Sequence, residues 1–167
     1  KEIKFKADLM LLLVAVIWGS GFIATEYAIH SAMTPMMIMA FRFPIAGSVL
    51  LIFMMGKIKN ITKKEWIRGS IAGVILFLAF FSQTLGQSMT TVSNSAFITA
   101  TNVVIVPFIV WILTKAKPNL KTVLLAGLTF IGVAVLTVSP QGGISFNIGD
   151  IYVMLCAILF ALHIAYL

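Results

Sequence analysis

The sequence predicts an all-α polytopic membrane protein. Six membrane-spanning helices are visible, read as one five-helix unit followed by the first helix of a second, inverted unit. Three observations predict it. Of 167 residues, 60% are hydrophobic and 10% charged, with a mean hydropathy of +1.08. A soluble domain of that length cannot bury so much apolar surface, so the bilayer is the solvent. The apolar residues fall into six runs, each near the roughly 20 residues that cross a hydrocarbon core of about 30 Å. Lysine and arginine recur in every second connection between those runs. Strands are disfavoured, because an open sheet leaves its backbone unsatisfied in lipid and no ten-residue alternation is present.

The first run covers roughly 8–28 and is too long for a signal-peptide core, with no convincing small-residue cleavage site; it is read as a retained helix. The chain opens on Lys1 without a methionine, so a few preceding residues are expected. Trp18 lies about ten residues into this run, so at about 1.5 Å per residue it sits roughly 15 Å deep, near the bilayer midplane. Membrane tryptophans usually mark the water interface, and this one is followed by Gly19-Ser20-Gly21. The other runs lie at roughly 35–55, 67–87, 93–114, 121–139 and 149–167. Their connections are short, so neighbouring helices are antiparallel.

Charge orients the bundle. Lys1, Lys4 and Lys6 precede the first helix. Lys57, Lys59, Lys63, Lys64 and Arg68 lie between the second and third, and Lys115, Lys117 and Lys121 between the fourth and fifth. The connections 29–34, 88–92 and 140–148 carry no lysine or arginine. Of the twelve basic residues only Arg42 stands apart, which places the N-terminus in the cytoplasm by the positive-inside rule. The net charge of +7 is thus a topology signal, and no nucleic-acid partner is expected. Trp66 and Trp111 fall near the cytoplasmic ends of their helices, as interfacial residues do. The sequon Asn60-Ile61-Thr62 lies on the same side and is expected to be unmodified. The lone cysteine, Cys156, offers neither an intrachain disulfide nor a metal cluster. Ser20, Ala24 and Ala28, and the pair Gly69 and Gly73, are small-residue spacings that allow close helix packing.

A faint internal repeat accompanies this. With Asp8 aligned on Asp150, Ala15 falls on Ala157, Trp18 on Phe160, Gly19 on Ala161 and Phe22 on Ile164. Five helices separate the two starts, so the second unit enters from the opposite side, an architecture common in secondary transporters.

From Leu12 to Phe43 the chain resembles the start of an EamA-type repeat of the drug/metabolite transporter superfamily. The resemblance is carried by Trp18-Gly19-Ser20 with Phe22, by Pro35, and by Arg42-Phe43. Thr91 through Ile98 with Pro107 resembles the third-to-fourth helix region of that family. Gly127 and Gly132-Val133 are similar to its fifth helix, and Gly149-Asp150 with Ala157 and Ala161 to the opening of its second repeat. The resemblance implies a first repeat over 7–139, the first helix of a second over 148–167, and ten helices in all. Thr114-Lys115-Ala116-Lys117 stands where the family often has a glutamate. It implies transport of a small metabolite by alternating access, with the substrate path between the two halves.

Several residues are candidates for a substrate site. Arg42 lies about seven residues into the second helix, roughly 10 Å below the surface. A charge there is costly and must face the bundle or a wet cavity. Either it binds an anionic group of the substrate, or it forms a structural ion pair with Glu26. Ser95, Thr99 and Asn102 form a polar stripe on the fourth helix, flanked by Asn94 and Thr101. Gln83 and Gln87 lie one turn apart on the third. Each group either lines a cavity or supplies interhelical hydrogen bonds. His163 in the sixth helix either relays protons or packs through a hydrogen bond. Trp18, with Ser20 beside it, presents an aromatic wall to a central cavity or packs against a neighbouring glycine.

No nucleophile–base pair, paired carboxylates, metal-spaced cluster or phosphate-cradling glycine loop is visible. No enzyme activity, cofactor or metal is therefore expected, and a lipid-modifying enzyme is disfavoured. The expected partners are the bilayer, a small-molecule substrate, and a second repeat or second copy of the chain. The expected location is a bacterial plasma membrane. The alternative function is a membrane assembly subunit or an inactive truncated half-transporter.

Overall fold

The computed structural model describes residues 2–56, 58, 61–137 and 147–167, and no strand occurs among them. The helices are α1 (Glu2–His30), α2 (Pro35–Met54), α3 (Lys63–Gln87), α4 (Val92–Ala100), α5 (Asn102–Thr114), α6 (Leu120–Thr137) and α7 (Ile148–Tyr166). Five stretches are long and apolar enough to cross a membrane: Phe5–His30, Pro35–Met54, Lys63–Gln87, Val92–Thr114 and Ile148–Tyr166. In α6 the stretch Leu120–Gly132 is also apolar. Lys1, Lys57, Lys59 and Asn60 of the sequon lie outside the described residues, as does 138–146.

Short polar side chains start most of these helices. Thr34, Thr62 and Thr91 accept the backbone N–H three residues on, from Met37, Glu65 and Asn94. Asn119 does the same for Thr122. Helix starts expose N–H groups with no partner in the helix, and these oxygens satisfy them. Two starts are closed reciprocally: Glu65 accepts from the Thr62 backbone N–H, and Asp150 from that of Asn147.

The span expected over 93–114 is interrupted at Thr101, which separates α4 from α5. There the backbone N–H of Thr101 and its hydroxyl both donate to the Ile98 carbonyl, at 3.1 and 2.6 Å. Such a side-chain bond competes with the helix ladder and bends it.

The most extensive contact joins α3 and α7, and α7 also packs on α4 and α5. α3 and α7 run antiparallel along their whole length. At one end the His163 ring nitrogen Nδ1 lies 3.0 Å from the Ala72 carbonyl. In the middle Ala79, Cys156 and Phe160 form a buried cluster. At the other end Gly86 meets Gly149 backbone to backbone: a β-carbon on Gly86 would stand 2.6 Å from the Gly149 carbonyl oxygen and 2.5 Å from Val153 Cγ2. The contact residues of α3 recur every seventh position, one face of a helix over two turns.

This seam is not the one the small-residue spacing predicted. Gly69 and Gly73 face open space, and Ser20 and Ala24 are exposed. The packing face of α1 is instead that of Gly21, Phe22 and Thr25, one residue around the helix. The GxxxG spacing marks faces free to approach another helix, and among the described residues none meets Gly69 or Gly73.

Gly86→Ala therefore forces α3 and α7 apart, at an overpacking cost of about 1–3 kcal/mol. The same substitution at Gly73 meets nothing. Thermal unfolding in detergent should show a lowered midpoint for Gly86→Ala and almost none for Gly73→Ala. Equal midpoints would show that the two backbones do not meet.

Candidate functional site

The α3–α7 seam brings aromatic rings together at mid-span. Phe80 follows Ala79 on α3 and meets Phe160 of α7 edge to face, with ring centroids 5.0 Å apart. Trp18, at the middle of the Phe5–His30 span, joins both, at 6.5 Å from Phe80 and 5.9 Å from Phe160. Phe43 of α2 closes on Phe80 from the other side at 6.0 Å. These separations and tilts are those that aromatic quadrupoles favour.

A cavity of about 160 Å³ opens against this cluster, lined by Ile17, Trp18, Gly21, Phe22, Arg42, Phe80 and Gln83. Three of the residues predicted from sequence, Trp18, Arg42 and Gln83, thus converge from three different helices. The Arg42 guanidinium carbon lies 4.3 Å from the centre of the Phe80 ring, a cation–π contact. The Gln83 side-chain amide donates to the Thr99 hydroxyl at 3.1 Å, so α4 is tied to the cavity wall.

The ion pair expected between Glu26 and Arg42 does not form. Arg42 has no acidic partner among the described residues; Glu26 sits 3.3 Å from the exposed His30 ring and accepts a bond from Gln87 at 3.2 Å. The reason is height. Arg42 lies beside Gly21, five residues before Glu26 on α1, and at about 1.5 Å per residue the two sit about 7.5 Å apart along the helix axis. Gln87 also donates to the Phe22 carbonyl at 2.8 Å, so it fastens α3 to α1 one turn above the cavity.

The remaining candidates lie elsewhere. Ser20 is exposed and donates to its own helix at Ile17. Ser95 is fully buried, and its hydroxyl has no hydrogen-bond partner among the described residues, like that of Thr84. Asn94 reaches Thr90 at 3.5 Å, and the Thr90 hydroxyl donates to buried Asp150 at 2.6 Å. Asn102 opens α5 and is half-buried. His163 lies in the last turn of α7, on the seam rather than on the cavity. Among the described residues no group of three or more histidine, cysteine or acidic side chains gathers to hold a metal.

Two contributors were missed. Phe80 is central, and its signal was its place one turn before Gln83 on the same helix face. Asp150 was noted only as the start of the repeat, yet it is 1% exposed and organises the end of the bundle where α7 begins.

Long apolar helices, with an arginine and a glutamine held within their spans beside a partly open aromatic cavity, define a polytopic membrane protein. Residues 5–138 match the EamA-like transporter family, and the chain belongs to that family. It is also 39% identical over 162 residues to a protein of Archaeoglobus fulgidus named an uncharacterized transporter, covering 95% of this chain and 48% of that protein. The chain thus spans about half the length of this relative. No solved structure matches it.

Because Glu26 and Arg42 are held apart, exchanging their charges should restore nothing. The double variant Glu26→Arg/Arg42→Glu is expected to lose as much stability as the two single variants together, within about 0.5 kcal/mol. A clear gain over that sum in thermal unfolding would establish a pair after all.

Proposed function

We propose that this chain forms the first part of a secondary transporter or exporter of a small organic metabolite or drug-like solute, working by alternating access. The observation that carries the reading is the convergence of Trp18, Arg42 and Gln83 from α1, α2 and α3 on one cavity that runs from mid-span toward the end where α1 finishes. Transporter sites lie near the bilayer midplane at the interface between repeats, often beside interrupted helices. The break at Thr101, just beyond the Thr99 that holds Gln83, fits that pattern.

In this reading 7–139 is the first five-helix repeat and 148–167 opens the second. The contact between Trp18 and Phe160 supports it, since these residues occupy equivalent positions in the two units. The substrate path is completed by the remainder of a second repeat or by a second copy of the chain. The protein resides in a plasma membrane with its N-terminus in the cytoplasm. The orientation rests on charge: Lys63, Lys64, Arg68, Lys115, Lys117 and Lys121 gather at the end of the bundle where α1 begins.

Two measurements test this. In the first, small organic solutes are screened against the purified protein by thermal unfolding. A true substrate at 100 times its Kd should stabilise by about 2.7 kcal/mol, and Trp18→Ala should remove that shift while leaving insertion normal. Absence of any solute-dependent shift is the outcome expected of an assembly subunit or an inactive half-transporter. In the second, a membrane-impermeant maleimide should label Ser31→Cys in intact cells and Lys64→Cys only after permeabilisation. The reverse pattern would invert the topology.

A further inference from the structure

Within the reading of this cavity as the substrate site, we infer that the solute is a small monocarboxylate with a flat body about the size of one ring. Its carboxylate sits on Arg42 and its body against Trp18, Phe22 and Phe80.

Charge comes first. Arg42 is half-buried within the span, where an unpaired charge is costly, and no acidic side chain among the described residues compensates it. The acids that approach other elements are engaged elsewhere: Glu26 by His30 and Gln87, Glu65 by Thr62, and Asp150 by Thr90 and Asn147. An anion supplied by the solute satisfies what the described residues leave open.

Geometry selects the kind of anion. The guanidinium carbon sits over the Phe80 ring, so the donors directed away from that ring are the part left to bind. That planar fork matches the two oxygens of a carboxylate. Among the described residues the cavity offers one cation, so a second carboxylate on the solute finds no partner among them. Among the described residues no acid lines it, so a cationic solute meets Arg42 with no counter-charge beside it.

Volume and walls select the body. The cavity is partly open and polar at Arg42 and Gln83, and its volume of about 160 Å³ is near the roughly 150 Å³ that takes up one benzene ring. Trp18, Phe22 and Phe80 give it aromatic walls, which favour a flat apolar body in offset or edge-on contact.

The test uses the full-length protein in lipid nanodiscs, titrated calorimetrically with benzoate, benzamide, benzylamine and terephthalate. Benzoate should bind about tenfold or more tighter than benzamide, its neutral counterpart, with benzylamine and terephthalate weaker still. Arg42→Gln should bring benzoate to within about twofold of benzamide, and Arg42→Lys should retain part of the preference. Equal binding of benzoate and benzamide to the unaltered protein overturns the inference, as does no binding of either, or a preference that survives Arg42→Gln. Trp18→Ala separates this inference from the reading beneath it. If it weakens benzamide while benzoate shows no preference, the cavity stands and the carboxylate falls. If it leaves the affinity of every bound probe unchanged, the cavity is not the substrate site.

Discussion

The contact between α3 and α7 at Gly86 and Gly149 sets the distance on which the rest of the bundle depends. Lipid tails are as apolar as leucine, so no hydrophobic force drives one spanning helix onto another. Close approach must come from shape, and shape here is the absence of side chains where two backbones meet. Once that end is fixed, Ala79 admits Phe160 against α3, and Phe80, the next residue, meets it edge to face. The aromatic wall of the cavity is a consequence of the small residues beside it. A bulkier seam would move Phe160 away from Phe80 and leave Trp18 without its second neighbour.

Polar contacts then fix what packing alone leaves free to slide. At the end where α7 begins, Asp150 performs two tasks at once: one oxygen accepts the Asn147 backbone N–H that closes the cap, the other the Thr90 hydroxyl from the turn before α4. One carboxylate therefore sets both the first turn of α7 and the position from which α4 enters. Lower in the bundle, Gln83 holds Thr99 just above the break at Thr101. Interhelical hydrogen bonds of this kind contribute only about 0.6 kcal/mol on average. Their larger effect is on register, since each can be made at one helix height only.

The helices themselves were legible because their cause is local. Apolar length and the basic connections are properties of neighbouring residues, and the spans could be read from them in order; the threonine and asparagine caps and the break at Thr101 emerged only in the structure. The candidate site was legible in part. Arg42, Trp18 and Gln83 stood out because each is expensive at its depth and needs a reason. Partners were not legible. Sequence brings Glu26 and Arg42 near in loop distance, but the rise of the helix separates them by more than an ion pair can span. The small-residue spacing of Gly69 and Gly73 was visible, yet the seam runs through Ala72, Ala79 and Gly86, whose seven-residue spacing is hidden among larger neighbours. Which small face meets a partner is decided by the partner, and that information is not local.

The tryptophan at mid-span follows from the same logic. Its place at the middle of the Phe5–His30 span rules out an interfacial anchor, and at 53% exposed it is not a core residue; its ring packs near Phe80 and Phe160 and lines the cavity. Of the small residues that follow it, geometry requires only one. Gly19 faces open space and Ser20 is satisfied within its own helix, but a β-carbon at Gly21 would already touch the Arg42 guanidinium at 3.6 Å. Any longer side chain there would push the guanidinium off the Phe80 ring. Gly21 lets an arginine from α2 reach across the face of α1, and Trp18, one turn earlier on the same face, meets the far side of the same Phe80 cluster. The ring, the glycine and the charge form one arrangement: an aromatic floor that holds a guanidinium at a depth where water would otherwise have to follow it.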